Sequence, residues 1–167
     1  SIRFSPQERG SLREPSLSSF VEPEAGEFAS VTIKTSDGLS FTAHRSKDWQ
    51  PSKKPTIVFY HGFPENEYSF VRYMSHFSNL GFNVISPPRR GYQPSFIPSD
   101  GDYTLKTCAN EVIALLEQTG LTVPGACVHL VGHDWGSLVA QAAVRYKPEL
   151  FRSLTMVAVP DLKKFAV

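Results

Sequence analysis

The chain has 167 residues, 41% of them hydrophobic and 12% aromatic, enough for one domain with a sizeable core and incompatible with disorder throughout. Seventeen basic and sixteen acidic side chains leave a formal charge of +1 with no basic run, so composition supports neither a nucleic-acid partner nor a membrane-surface one. No apolar run approaches the ~18 residues of a membrane span, and the N-terminus lacks the order of a secretory signal, so a cytoplasmic location and a small-molecule substrate are expected.

Residues 1–27 are rich in Ser, Pro, Glu and Arg, with isolated apolar positions, and read as an extended or disordered arm. Two alternating runs, 28–34 and 39–43, then flank Ser36-Asp37-Gly38 and predict a hairpin. After a polar surface connection over 46–54, Ile57-Val58-Phe59-Tyr60 forms a continuous apolar run, the mark of a strand buried on both faces. Phe70, Tyr73, Met74 and Phe77 mark one face of a helix closed by Gly81. Residues 82–85 make the next strand, and a Pro- and Gly-rich loop runs to Tyr103. Leu105, Cys108, Val112, Leu115 and Leu116 describe a second helix ending at Gly120. An apolar strand over 126–131 leads into a turn, and Leu138, Val139, Ala142 and Tyr146 follow at helical spacing before Pro148. The last strand spans 153–159. Cys108 and Cys127 each sit in an apolar stretch, as free thiols rather than a disulfide framework.

A leading antiparallel hairpin followed by repeated strand–helix units predicts an α/β fold with a mostly parallel, doubly wound sheet. The active site is then expected at the C-terminal strand ends, where Asp134 and the His61-Gly62 turn both fall.

Gly132-His133-Asp134-Trp135-Gly136 has the form small-x-nucleophile-x-small of a nucleophile elbow, a sharp strand-to-helix turn that tolerates no side chain at the flanking positions. A carboxylate in that place is ionised at neutral pH and can attack carbon without a base, whereas the ester it forms needs a base for hydrolysis. A helix N-cap is the alternative role for Asp134, but capping does not account for the paired glycines.

Together with His61-Gly62-Phe63-Pro64-Glu65 and Arg90-Gly91-Tyr92, the elbow resembles the α/β-hydrolase fold family, and within it the epoxide hydrolases, over about residues 28 to 160. The resemblance implies that Asp134 opens a small apolar epoxide by in-line attack, giving an ester that a histidine-activated water hydrolyses to a diol. It implies backbone N–H donors from Phe63 and Trp135 in an oxyanion hole, with the same two side chains on the pocket wall. His61, Gly62, Pro64, Gly132, His133 and Gly136 are implied as the structural motif, with Pro64 after a cis bond and Glu65 as a loop-stabilising charge. No metal and no cofactor are expected.

Two dehalogenase types share the nucleophile. Haloalkane dehalogenases commonly carry asparagine where this chain has Phe63, and fluoroacetate (haloacid) dehalogenases carry arginine where it has Trp135, so epoxide hydrolysis fits better. The family's acidic partner, catalytic histidine and cap tyrosines fall after later strands, whereas this chain's histidines are His44, His61, His76, His129 and His133. The chain is therefore expected to be the N-terminal part of a longer hydrolase, truncated before the cap, or else a noncatalytic relative that binds ligands or a partner through an open sheet edge. The Arg-Gly-Tyr loop also departs from the family pattern, with Pro88 in place of an acid and Gln93 in place of a glycine.

Overall fold

The computed structural model describes residues 27–159 and Asp161; all but the last residue of the expected N-terminal arm lie outside them. Strands β1 (Phe28–Lys34) and β2 (Ser40–Ser46) form the predicted hairpin in antiparallel register from Phe28↔Ser46 to Lys34↔Ser40. Thr35 and Leu39 close the turn, and Gly38 takes a φ of 85° there, which explains a glycine at that position. The second strand runs three residues further than the alternation suggested. Its last residues pair with β4 (Asn83–Ser86) at His44↔Ser86 and Arg45↔Ile85, an extension that depends on a partner distant in sequence.

Strand β3 (Thr56–Tyr60) pairs in parallel with β4 on one side and with β5 (Val128–His133) on the other, and β6 (Ser153–Val157) adds in parallel to β5. The strand order is β1-β2-β4-β3-β5-β6, the mostly parallel sheet with a leading antiparallel hairpin that the pattern predicted. Alternate residues of β3 serve opposite faces. Val58 and Tyr60 enter the larger core with helices α2 (Leu105–Gln118) and α3 (Trp135–Tyr146), while Ile57 and Phe59 enter a smaller one with α1 (Val71–Asn79). Both faces of the strand are buried, which accounts for its unbroken apolar run.

Helices α1 and α2 end as their glycines indicated. Phe82 N donates to Phe77 O beyond Gly81, and Leu121 N donates to Leu116 O beyond Gly120, so each glycine closes the last turn in a left-handed conformation. Helix α3 begins directly after Asp134 and buries Gly136, Ser137, Val139, Ala140 and Ala143, whereas Tyr146 is exposed. The apolar spacing of 138, 139, 142 and 146 therefore marked only part of its buried face: the contact with the sheet is made by small residues, which bring the helix close but carry little hydropathy. Strand β6 stops at Val157, two residues short of the expected end, where Ala158 turns to a φ of 65°. It forms one sheet edge, with Met156 and Val157 exposed. Cys108 is buried and Cys127 partly so, both as free thiols. Among the described residues no helix is long and apolar enough to cross a membrane.

Candidate active site

Parallel pairing of β3 with β5 places Tyr60 opposite Gly132, so the turns that leave these two strands lie side by side. The contact between them leaves no room for side chains. A Cβ on Gly136 would stand 2.1 Å from Tyr60 O, and one on Gly62 would stand 2.6 Å from Asp134 Cβ. Gly62 and Gly136 are thus required by the same close approach, whereas a Cβ on Gly132 would meet Gly136 O and Ser137 Cα of its own turn at 2.7 Å.

Asp134 lies between β5 and α3 with φ 51° and ψ −124°, a backbone region normally left to glycine and costing a non-glycine residue about 1–3 kcal/mol. Its N–H donates to Val157 O at 3.0 Å and its C=O accepts from Ser137 N at 2.9 Å, so α3 and β6 hold the strained residue from both sides. Ser137, which the motif reading passed over, is buried and donates its hydroxyl to Gly132 O at 2.6 Å. Ser137 Oγ also accepts from Val157 N, linking elbow, helix and edge strand.

The Asp134 side chain does not cap its helix. Instead Oδ1 accepts the backbone N–H of Phe63 at 2.9 Å, across the gap between the two turns. The N–H groups of Phe63 and Trp135 hold its carboxyl below the usual carboxylate range, with smaller help from the charges of His133 and Arg89. Asp134 is therefore ionised and partly accessible, with the Phe63 N–H hydrogen-bonded to Oδ1.

The Phe63 turn is held by His61, Glu65 and a cis bond between Phe63 and Pro64. His61 is fully buried; its Nε2 accepts from Arg89 N at 3.0 Å, so its Nδ1 carries the proton and donates to Gly62 O at 2.9 Å. Both ring nitrogens are thereby occupied. Burial, aided by the charge of Arg89, pushes the imidazole below its ordinary value and keeps it neutral. Glu65 joins the two motifs: one oxygen, Oε2, accepts Gly62 N at 3.1 Å and His133 Nδ1 at 2.7 Å. Partial burial opposes its charge, but these hydrogen bonds outweigh it and hold the carboxyl low.

The Arg-Gly-Tyr loop packs behind the turn. Arg90 is buried and paired with Glu111 of α2 and Asp37 of the β1–β2 turn. Gln93, which stands where the family has glycine, bonds both the N–H and the C=O of Thr42 and also reaches Glu67, tying the loop to β2. The side chains of Phe63 and Trp135 stand on open surface at the strand ends, 67% and 50% exposed. Neither lines the apolar cavity of about 650 Å³ on the α1 face of the sheet, where Phe59, Phe70, Phe77 and Val131 form walls and Glu65 and His133 form part of the rim. Among the described residues, no three His, Cys, Asp or Glu side chains are grouped to hold a metal ion.

A sequence model described as the alpha/beta hydrolase fold matches residues 55–166, which span both turns. The chain belongs to the α/β-hydrolase fold family. Among curated proteins it is similar to epoxide hydrolase 2 of Siraitia grosvenorii, 32% identical over 111 residues, covering 66% of this chain and 34% of that protein. It is also similar to an epoxide hydrolase of Caballeronia sordidicola, 36% identical over 107 residues, covering 64% of this chain and 31% of that protein. Among solved structures it resembles an epoxide hydrolase of Vigna radiata, with a TM-score of 0.71 and 26% identity over 84% of this chain and 43% of that one. The chain thus spans about a third of the length of these curated relatives.

Proposed function

We propose that this α/β-hydrolase chain carries the nucleophile and oxyanion donors of an epoxide hydrolase, acting on a small epoxide as part of a longer protein. The observation that carries the reading is Asp134, held at positive φ on the strand-to-helix turn with its carboxylate on the Phe63 N–H. A merely capping aspartate would turn back to its own helix and would need no strain.

In the proposed reaction a carboxylate oxygen of Asp134 forms a bond to an epoxide carbon as the ring C–O bond breaks, and the alkoxide released takes up a proton. Water then attacks the carbonyl carbon of the ester. The N–H groups of Phe63 and Trp135, which lower the pKa of the free carboxylate, are suited to the oxyanion that develops on the same group. Losing one such donor typically costs about 3 kcal/mol, or a hundredfold or more in rate. His61 is not free to act as the base, because Gly62 O and Arg89 N occupy both its nitrogens. The phenyl side chain of Phe63 has no donor for a departing halide, which favours epoxides over haloalkanes.

The test is a single turnover of styrene oxide in ¹⁸O-labelled water by the full-length protein that contains this chain. Attack by Asp134 places one heavy oxygen in the peptide bearing that residue and leaves the diol unlabelled. Label in the diol with none in Asp134 would mean that water attacks the epoxide directly.

A further inference from the structure

Arg89 occupies a position that neither the elbow nor the turn requires. Its backbone N–H serves His61, but its side chain takes a separate course. The guanidinium carbon lies 5.9 Å from the ring centre of Trp135 and 5.6 Å from that of Tyr92, so two aromatic faces hold the cation at the rim where Asp134 is presented. Trp135 is the residue next to Asp134, and the charge of Arg89 reaches that carboxylate.

The carboxylates around this rim are committed elsewhere. Glu65 accepts from Gly62 N and His133, Glu67 accepts from Gln93, and Asp134 accepts from Phe63 N. Among the described residues Lys54, Arg90, His133 and Arg145 are held in ion pairs, whereas the guanidinium of Arg89 makes aromatic contacts and feels the Asp134 charge without a carboxylate in salt-bridge contact. A half-buried guanidinium with aromatic faces and no carboxylate hydrogen-bonded to it retains in-plane N–H donors, which suit a bidentate anion. Beside it the exposed rings of Phe63 and Trp135 offer apolar surface.

From this arrangement we infer that Arg89 is a specificity-determining residue that favours substrates bearing a carboxylate on an apolar body, the carboxylate on Arg89 and the reactive carbon toward Asp134. The inference rests on the epoxide hydrolase reading for the identity of the reactive group, but the anion site itself does not. It refines the expectation of a purely apolar substrate to an acidic one.

The test is a two-dimensional NMR titration of the full chain with phenylacetate, following the indole N–H of Trp135, with neutral phenylacetamide as control. Trp49 is the internal reference, since its indole donates to Thr119 O at 2.9 Å, away from the elbow. Phenylacetate is expected to shift the Trp135 signal saturably and to bind on the order of tenfold more weakly to Arg89→Gln, with Arg89→Lys recovering part of the loss. Phenylacetamide is expected to bind both forms alike. Equal binding of acid and amide, or equal binding of phenylacetate to wild type and Arg89→Gln, would overturn the inference. Asp134→Asn separates the two proposals: it should leave phenylacetate binding intact or tighter while ending diol formation. Phenylacetate binding by the wild type, together with no diol formation from styrene oxide by the full-length protein, would therefore count against the hydrolase reading alone.

Discussion

The carboxylate of Asp134 and the backbone N–H of Phe63 meet at 2.9 Å although 71 positions separate the residues. The two turns in contact have glycine where either would obstruct the other, and Glu65 spans them with a single oxygen. On the proposed reaction, a carboxylate placed in this way would require little reorganisation when charge moves onto its carbonyl oxygen.

Replacing Asp134 by Asn retains an acceptor oxygen for Phe63 N and nearly the same side-chain shape, so the fold should persist. A neutral amide is a poor nucleophile, and diol formation by the full-length protein should fall by roughly a thousandfold or more. Steady-state rates and the midpoint of urea unfolding check the two halves of this expectation.

Gly136→Ala should be far more damaging than its size suggests. The added Cβ would lie 2.1 Å from Tyr60 O, in backbone on both sides, so α3 must move away from β3. A loss of about 3 kcal/mol or more is expected, against about 1 kcal/mol for Gly38→Ala, where the φ of 85° is unfavourable but the space is open. Chemical unfolding of the two variants side by side would expose the difference.

Stability should decline on mild acidification because of His61. Burial depresses its pKa in the folded state, so below the ordinary imidazole value of 6.5 the unfolded chain takes up a proton that the native ring refuses. The contribution is complete above that pH and is lost as pH falls toward the depressed folded value. The slope cannot exceed about 1.4 kcal/mol per pH unit for one group. Thermal midpoints from pH 7.5 to 5 should fall more steeply in the wild type than in His61→Asn.

Arg90→Met should destabilise the protein by about 3–5 kcal/mol, because it leaves Glu111 buried without its partner. Burial already pushes the Glu111 carboxyl up to about 7 with Arg90 in place. Adding Glu111→Leu to that variant should recover much of the loss, since it removes the buried carboxyl left without a partner. A double-mutant cycle in urea measures the recovery, and its absence would mean that Arg90 acts through packing.

Glu65→Ala is expected to lower activity more than stability. It removes the acceptor shared by Gly62 N and His133, costing about 1–2 kcal/mol, and it frees the turn that aims the Phe63 N–H. The rate should drop by roughly tenfold or more with a smaller change in KM, as expected when a transition-state donor is misplaced. Parallel changes in kcat and unfolding midpoint alone would not support this positioning role.

The amino-acid sequence by itself determined the α/β order, the parallel core and the position of Asp134 on a strand-to-helix turn. Each rests on a local rule: two-sided burial makes Ile57 to Tyr60 an unbroken apolar run, and a tight turn demands small residues at Gly132 and Gly136. Tertiary structure alone decided where strand β2 ends, which face α3 buries and what Arg89, Glu65 and Ser137 touch. These depend on partners remote in the chain, as with Asp134 and Phe63, and neither hydrophobic period nor turn chemistry encodes a contact between two turns until the sheet register brings them together.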